Sequence, residues 1–138
     1  MQDAINKLYK HAVLNKNSKP LNEDTLRELI KQLKIEAMVL TWPEYKKLAE
    51  MNKEPENAII WLGIPGEMGH WVGAFTDNQN VIIYEDSFGL VPPGKIRGRR
   101  IKVSNSCVQD TRNSNCGYLA LLFIATHNKV NSLFPSRK

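Results

Sequence analysis

Residues 69–89, GHWVGAFTDNQNVIIYEDSFG, hold two apolar runs on either side of a polar tetrapeptide. β-Branched and aromatic side chains dominate both runs, and the Asp-Asn-Gln-Asn sequence between them is rich in turn formers. Strands are therefore expected at 70–75 and 81–86, joined by a turn at 77–80. The pattern predicts an antiparallel β-hairpin.

The register of this hairpin decides which polar side chains meet. Counting outward from a turn centred between residues 78 and 79 pairs Trp71 with Asp86, beside the His70–Trp71 step. A carboxylate at that place can hold an imidazole in one tautomer and stabilise its protonated form. Glu85, on the opposite face of the strand, is expected to be a solvated charge.

Helical spacing of apolar side chains occurs three times before the hairpin. Asn22 and Thr41 are the expected N-caps of the second and third of these helices. An apolar run closed by Gly63 predicts a buried strand, and one more short strand follows the hairpin. The predicted helices cover residues 3–14, 23–33 and about 42–52, and these two strands cover 58–62 and 100–103.

The stretch NCGYLALLFIA, residues 115–125, predicts the last helix. It is apolar on nearly every side, so it is expected to run through the centre of the fold. Cys116 stands in its first turn, where unpaired backbone N–H groups favour the thiolate form of a cysteine. A single buried cysteine is more often a small hydrophobic residue, so Cys116 indicates chemistry only together with partners.

The chain of 138 residues has the length of one domain, spanning 1–138. The patterns predict a mainly helical part at about 1–52 and a sheet part at about 58–138. No apolar run is long enough for a membrane span, and no signal-peptide core begins the sequence. A reducing compartment is therefore expected, with Cys107 and Cys116 as free thiols.

Two further side chains suit a cysteine nucleophile. His70 is the best-placed histidine, since His11 lies among lysines and His127 lies about 16 Å along the helix that Cys116 begins. Gln109, seven positions before Cys116, offers uncharged N–H donors. Such donors suit an oxyanion hole, where a developing negative oxygen must be stabilised.

The order and spacing of four residues resemble those of the adenain family, the adenovirus-type maturation proteases: His70, Asp86, Gln109 and Cys116. The likeness includes the Gly-His-Trp start of one strand, an acidic-x-Phe-Gly segment and a Cys-Gly pair, and it spans roughly residues 22–127. The Asp-Ser-Phe-Gly followed by Pro-Pro is especially similar to the versions in virophages and virus-like DNA transposons.

This resemblance implies an α+β fold of the permuted papain-like cysteine protease kind, with a central helix that carries the cysteine packed on a small, mostly antiparallel sheet. It implies His70 as general base, Asp86 as the residue that orients it, Cys116 as nucleophile and Gln109 as oxyanion-hole donor. Substrate-binding or packing roles at the active site fall to Gly69, Trp71 and Gly117. No metal and no required cofactor are implied, and a monomer is expected.

Five basic residues fall within eight positions of a chain whose net charge is +5: Lys95, Arg97, Arg99, Arg100 and Lys102. They are candidate nucleic-acid contacts, which fits the family's use of DNA as an activator. A solvated loop or edge strand is the favoured alternative, because no aromatic residues interleave with the charges. Peptide activation is not expected, since only 23 positions separate Asp86 from Gln109 and Cys107 does not match the family's peptide-linked cysteine.

The expected function is that of a viral endopeptidase that cleaves capsid or core precursor proteins after small residues such as glycine. Such an enzyme is expected inside the host cell, in the nucleus or a cytoplasmic virus factory, and in the virion, without secretion or membrane attachment. Two alternatives stay open. One is a deconjugating protease for SUMO- or ubiquitin-like modifiers, and the other is a catalytically inactive virion or DNA-binding module.

Overall fold

The computed structural model describes residue 6 and residues 22–63, 70–86, 90–104 and 119–125. Within these ranges helices pack on both faces of one five-stranded sheet, so the predicted α+β class is confirmed. The strands follow one another across the sheet in chain order. The elements are α1 (Glu23–Gln32), β1 (Met38–Thr41), α2 (Trp42–Glu50), β2 (Asn57–Leu62), β3 (His70–Thr76), β4 (Ile82–Glu85), β5 (Ile101–Val103) and α3 (residues 119–125).

The sheet is mixed. Strands β2, β3 and β4 pair antiparallel, whereas β1 runs parallel to β2 and β5 runs parallel to β4. The expected mostly antiparallel sheet is therefore wrong, because two of its four pairings are parallel. A parallel neighbour requires a crossover, which α2 supplies on one side and the segment between β4 and β5 on the other. Strand β1, inside the part expected to be helical, was not predicted because four residues give too short a pattern.

Both predicted N-caps are present. The Asn22 side chain accepts a hydrogen bond from Thr25 N at 2.8 Å and begins α1. Thr41 and Glu44 form a reciprocal capping box at α2, with Thr41 N donating to Glu44 Oε1 at 2.9 Å. The backbone hydrogen bond from Thr41, followed by its side-chain bond, lowers the pKa of the Glu44 carboxyl. Local sequence alone therefore fixed where these helices begin.

Each face of the sheet is covered by its own apolar cluster. One face packs against α1 and α3, with Leu26 from α1, Ile59 from β2 and Ile124 from α3 all fully buried. The opposite face packs against α2 through Tyr45 and Ala49. The first predicted helix, 3–14, lies outside the described residues except for residue 6, which is helical. In the part of the chain that is described, no helix combines the length and apolar character needed to cross a membrane.

Helix α3 crosses the sheet directly over Gly73. A Cβ atom on Gly73 would lie 2.9 Å from Phe123 Cδ2 and 3.3 Å from the Ala120 carbonyl oxygen, so glycine permits the close approach. Further along the helix, the Phe123 ring packs on Phe75 with centroids 5.4 Å apart. Gly73 therefore lets α3 lie directly against β3.

Candidate active site

The turn between β3 and β4 is one residue longer than expected. Asp77 N donates to Val81 O at 2.9 Å, so three residues, 78–80, lie beyond this pair. Asn80 has a φ of 63°, a left-handed conformation that asparagine tolerates better than most residues. Gly73 consequently pairs with Glu85, and the predicted pairing of Trp71 with Asp86 is wrong by one position.

This one-residue shift places Asp86 on the face of the sheet that carries His70. Continuing the register from Gly73 and Glu85 by one step puts Asp86 opposite Val72. Side chains alternate along a strand, so Val72 and His70 share a face, whereas the predicted register would have put Asp86 on the face of Trp71. The corrected register explains how the two side chains meet.

His70 and Asp86 form a short, largely buried pair. Asp86 Oδ1 lies 2.6 Å from His70 Nε2, and the two side chains are 1% and 15% exposed respectively. An ionised carboxylate only accepts hydrogen bonds, so this contact requires the ring hydrogen on Nε2. Nδ1 is then the ring nitrogen that can take up a proton. Such a pair suits a general base whose orientation is fixed by a buried carboxylate.

Asp86 lies beside a buried tyrosine. The Tyr84 side chain, 1% exposed, lies two positions earlier on the same face. Burial raises the pKa of the Tyr84 hydroxyl well above its usual value, and the nearby Asp86 charge raises it further. Limited access to water strengthens the electrostatic interaction between Asp86 and the imidazole of His70.

Glu85 differs from the sequence-based expectation. It is only 8% exposed, whereas a solvated charge was predicted. Its partner in the register is Gly73, on the face that α3 covers. A helix that packs this closely on the sheet also covers the neighbouring position on β4, which the local sequence does not reveal.

Two tryptophans lie directly opposite each other at the same end of the sheet. Trp61 on β2 pairs with Trp71 on β3, and their ring centroids are 4.8 Å apart at an interplanar angle of 54°. Trp71 is 4% exposed, and Trp61, which packs against the same apolar cluster, is only partly buried. The next pair in the register is Leu62 with His70. Because side chains alternate along a strand, the two tryptophans lie on the opposite face of the sheet from His70.

The remaining predicted active-site residues lie outside the described residues: Gly69, Gln109, Cys116 and Gly117. The same holds for Cys107. In the sequence, Cys116 precedes Leu119, the first described residue of α3, by three positions. Among the described residues, no group of three or more His, Cys, Asp or Glu side chains could hold a metal ion.

Four members of the basic cluster are exposed: Lys95, Arg97, Arg100 and Lys102. Lys102 lies toward the turn end of the hairpin, since it is next to Ile83 and Ile83 is next to Phe75 in the register. Phe75 is five residues from His70 along β3, which is roughly 17 Å at the rise of a β-strand. Lys102 is therefore set back along the sheet from His70.

Arg99 departs from the predicted nucleic-acid role. Its side chain is 1% exposed and forms a bidentate pair with Glu54, with both N–O distances at 2.6 Å. Arg99 also donates to Ala49 O at 2.9 Å and to Asn80 Oδ1 at 3.0 Å. This guanidinium joins the end of α2 to the hairpin turn and has no exposed charge for a partner.

The Arg99–Glu54 pair is stabilised by its surroundings. Burial alone would raise the pKa of the Glu54 carboxyl, but hydrogen bonds from Arg99 and from Thr76 Oγ1, the latter at 2.8 Å, hold it below its usual value. The hydrogen bond with Glu54 likewise raises the pKa of Arg99. Breaking such a pair would leave one buried charge without its counterion, which is costly.

The chain matches no protein-family model and no curated protein. The geometry of the His70–Asp86 pair is accordingly the main support for a function.

Proposed function

We propose that this protein is a cysteine endopeptidase that cleaves viral capsid or core precursor proteins during virion maturation. The observation that carries the proposal is the 2.6 Å contact between His70 Nε2 and the buried carboxylate of Asp86. These two residues were selected from the sequence as general base and orienting acid, sixteen positions apart. In an exposed surface pair the carboxylate stays in contact with water, whereas the Asp86 side chain is only 1% exposed.

The proposed fold is the permuted papain-like one of the adenain family. Its support is the buried helix α3, which packs closely on β3 at Gly73 and Phe75. Under this proposal Cys116, three positions before α3 in the sequence, lies in reach of His70. The N–H groups of the first helical turn would then favour its thiolate.

The proposed reaction is acyl transfer to the thiol and then to water. His70 Nδ1 takes the Cys116 proton, and Sγ attacks the scissile carbonyl to give a tetrahedral oxyanion. Gln109 and the Cys116 N–H stabilise this oxyanion, and the C–N bond breaks as His70 returns the proton to the leaving amine. His70 then deprotonates a water molecule, whose attack releases the acid and the free thiol. Asp86 stays ionised throughout and stabilises the imidazolium.

The wider setting belongs to the same proposal. Substrates are capsid or core precursors cut after small residues, and the enzyme acts as a monomer in the host nucleus or virus factory and in the virion. DNA bound at the four exposed basic residues is a candidate activator, with no metal or other cofactor required.

Co-expression with the virion proteins encoded beside it tests the function. We expect wild-type protein to generate new cleavage products from a capsid or core precursor, and Cys116→Ala to generate none. Identical product patterns for both proteins would contradict the protease. A fluorogenic peptide ending in Gly-Gly, set against a modifier-fused reporter, separates the deconjugating alternative, which requires efficient turnover of the fused modifier alone.

A further inference from the structure

We propose that Arg99 is a positioning residue for the His70–Asp86 pair. Its buried guanidinium holds the hairpin turn in the conformation that brings Asp86 to the face of the sheet on which His70 lies. The expected effect on catalysis rests on the proposed function, whereas the position of Asp86 can be measured without turnover.

The sequence of β4 and its flanks does not by itself specify a register. Residues 81–86 read VIIYED, in which four apolar or aromatic residues are followed by two adjacent acids. Apolar clusters cover both faces of this strand, so a slip of one residue would still bury apolar side chains on each face. The slip would put Glu85 opposite Val72 in place of Asp86. The apolar pattern therefore does not determine which of the two acids meets His70.

The length of the hairpin turn makes this choice. In a hairpin loop of three residues, here 78–80, the last residue typically adopts the left-handed conformation, and Asn80 does so with a φ of 63°. A loop of two residues would shift the pairing by one position and bring Glu85 to the face of His70. A group that holds Asn80 in this conformation therefore also decides which acid meets the histidine.

Arg99 holds Asn80 from outside the turn. Its Nη2 atom donates to Asn80 Oδ1 at 3.0 Å and to the Asn80 carbonyl oxygen at 3.4 Å. The guanidinium is itself fixed, because both of its terminal nitrogens bond to the Glu54 carboxylate at 2.6 Å and Nη1 also donates to Ala49 O at 2.9 Å. Asn52 Oδ1, which lies 3.4 Å from Asn80 Nδ2, makes a longer and exposed contact. Arg99 is thus the buried, rigid partner of the turn.

The test variants remove the contacts of Arg99 without leaving a buried charge unpaired. Replacement of a buried ion pair by apolar residues often preserves folding, so Glu54→Leu/Arg99→Met is the first variant. Arg99→Lys is the second, because it keeps a charge beside Glu54 but lacks the planar fork that also reaches Asn80. Asn80→Gly, added to the first variant, supplies a residue that adopts positive φ unaided and should restore the three-residue turn. Glu23→Leu/Arg27→Met, the same substitutions at an exposed pair, is the matched control.

Nuclear magnetic resonance measures the register directly. Hydrogen-bonded and non-hydrogen-bonded pairs alternate from Asp77 and Val81, so Ala74 and Tyr84 form a non-hydrogen-bonded pair with closely spaced α protons. We expect a strong nuclear Overhauser effect between these protons in the wild type and the control. Both test variants should lose at least half of it and gain one between Ala74 and Ile83, and the added glycine should restore the wild-type pattern. An unchanged pattern in both variants, or no rescue by glycine, would overturn the proposal.

Kinetics with the Gly-Gly fluorogenic peptide test whether Arg99 acts through Asp86. Glu54→Leu/Arg99→Met should lower kcat at least tenfold with KM within threefold, and the added Asn80→Gly should return kcat to within threefold of wild type. In Asp86→Asn protein the same double substitution should change kcat less than twofold, because both changes remove one interaction. Full additivity would overturn the proposal.

The two measurements separate this inference from the proposed function. If the wild type hydrolyses no peptide but the register depends on Arg99 and is rescued by glycine, the proposed function fails and the positioning role stands. If hydrolysis is seen and the register does not depend on Arg99, the positioning role is wrong and the protease stands.

Discussion

Replacement of Asp86 by asparagine isolates the role of its charge. The substitution keeps the size of a side chain that is 1% exposed and removes the charge-assisted hydrogen bond to His70 at 2.6 Å. Hydrogen bonds to charged groups contribute about 1.5–3 kcal/mol. If this energy stabilises the imidazolium in the transition state, its loss lowers kcat/KM by about 10- to 150-fold, at about 1.4 kcal/mol for each factor of ten.

The assay is hydrolysis of the Gly-Gly fluorogenic peptide by wild type and Asp86→Asn, with circular dichroism to check folding. Asp77→Asn is the matched control, since it lies at the other end of the same hairpin. Asp77 Oδ1 accepts hydrogen bonds from Gln79 N and Val81 N, both at 2.9 Å, and an amide oxygen can accept the same bonds. We expect the control to retain kcat/KM within twofold. An Asp86→Asn protein that also stays within twofold would refute the orienting role.

Three further changes test the fold and the basic surface. Glu54→Gln should lower the free energy of unfolding in urea by about 3–5 kcal/mol, because it leaves the buried Arg99 charge unpaired, and a loss below 1 kcal/mol would contradict this. The pKa of Glu54 is lowered in the folded protein, so the stability that its ionised form contributes is present above the unfolded value near 4.3 and is lost as the pH falls through the folded value. Urea titrations at pH 7 and pH 3 should therefore show a smaller acid-induced loss of unfolding free energy for Glu54→Gln than for wild type. Gly73→Ala should cost about 1–3 kcal/mol, because its Cβ would lie 2.9 Å from a side-chain carbon of α3, whereas Gly94→Ala meets nothing within 4 Å and should be nearly neutral. Arg100→Gln should weaken binding to duplex DNA and reduce the salt slope of log K by about 0.9 if it contacts one phosphate, and an unchanged slope would remove that contact.

Helices α1 and α2 and the hairpin strands were predictable because their signals are local. Two kinds of signal depend only on neighbours a few positions away. They are the helix caps at Asn22 and Thr41 and the apolar runs on either side of residues 77–80. The hairpin register was not predictable by counting, because the left-handed Asn80 adds one residue to the turn. This extra residue decides which face of the sheet carries Asp86. The backbone conformation of Asn80 therefore determines whether Asp86 can contact His70.

The misassigned residues depend on partners that are distant in the sequence. Arg99 resembles its basic neighbours in composition, and only Glu54, 45 positions earlier, makes it a buried structural residue. Glu85 was predicted to be exposed because nothing near it in the chain reveals that α3 covers Gly73. Strand β1 is four residues long and is defined by its parallel pairing with β2. Long-range contacts of this kind leave little trace in local pattern.

The proposal that His70 activates Cys116 is tested most directly by thiol alkylation, which requires no substrate. Iodoacetamide at pH 7 should modify Cys116 faster than Cys107, as followed by peptide mass spectrometry. His70→Ala should slow the reaction of Cys116 at least tenfold and leave that of Cys107 unchanged, because the base that favours the thiolate is gone. A Cys116 that resists alkylation, or that reacts at the same rate with and without His70, would contradict the account.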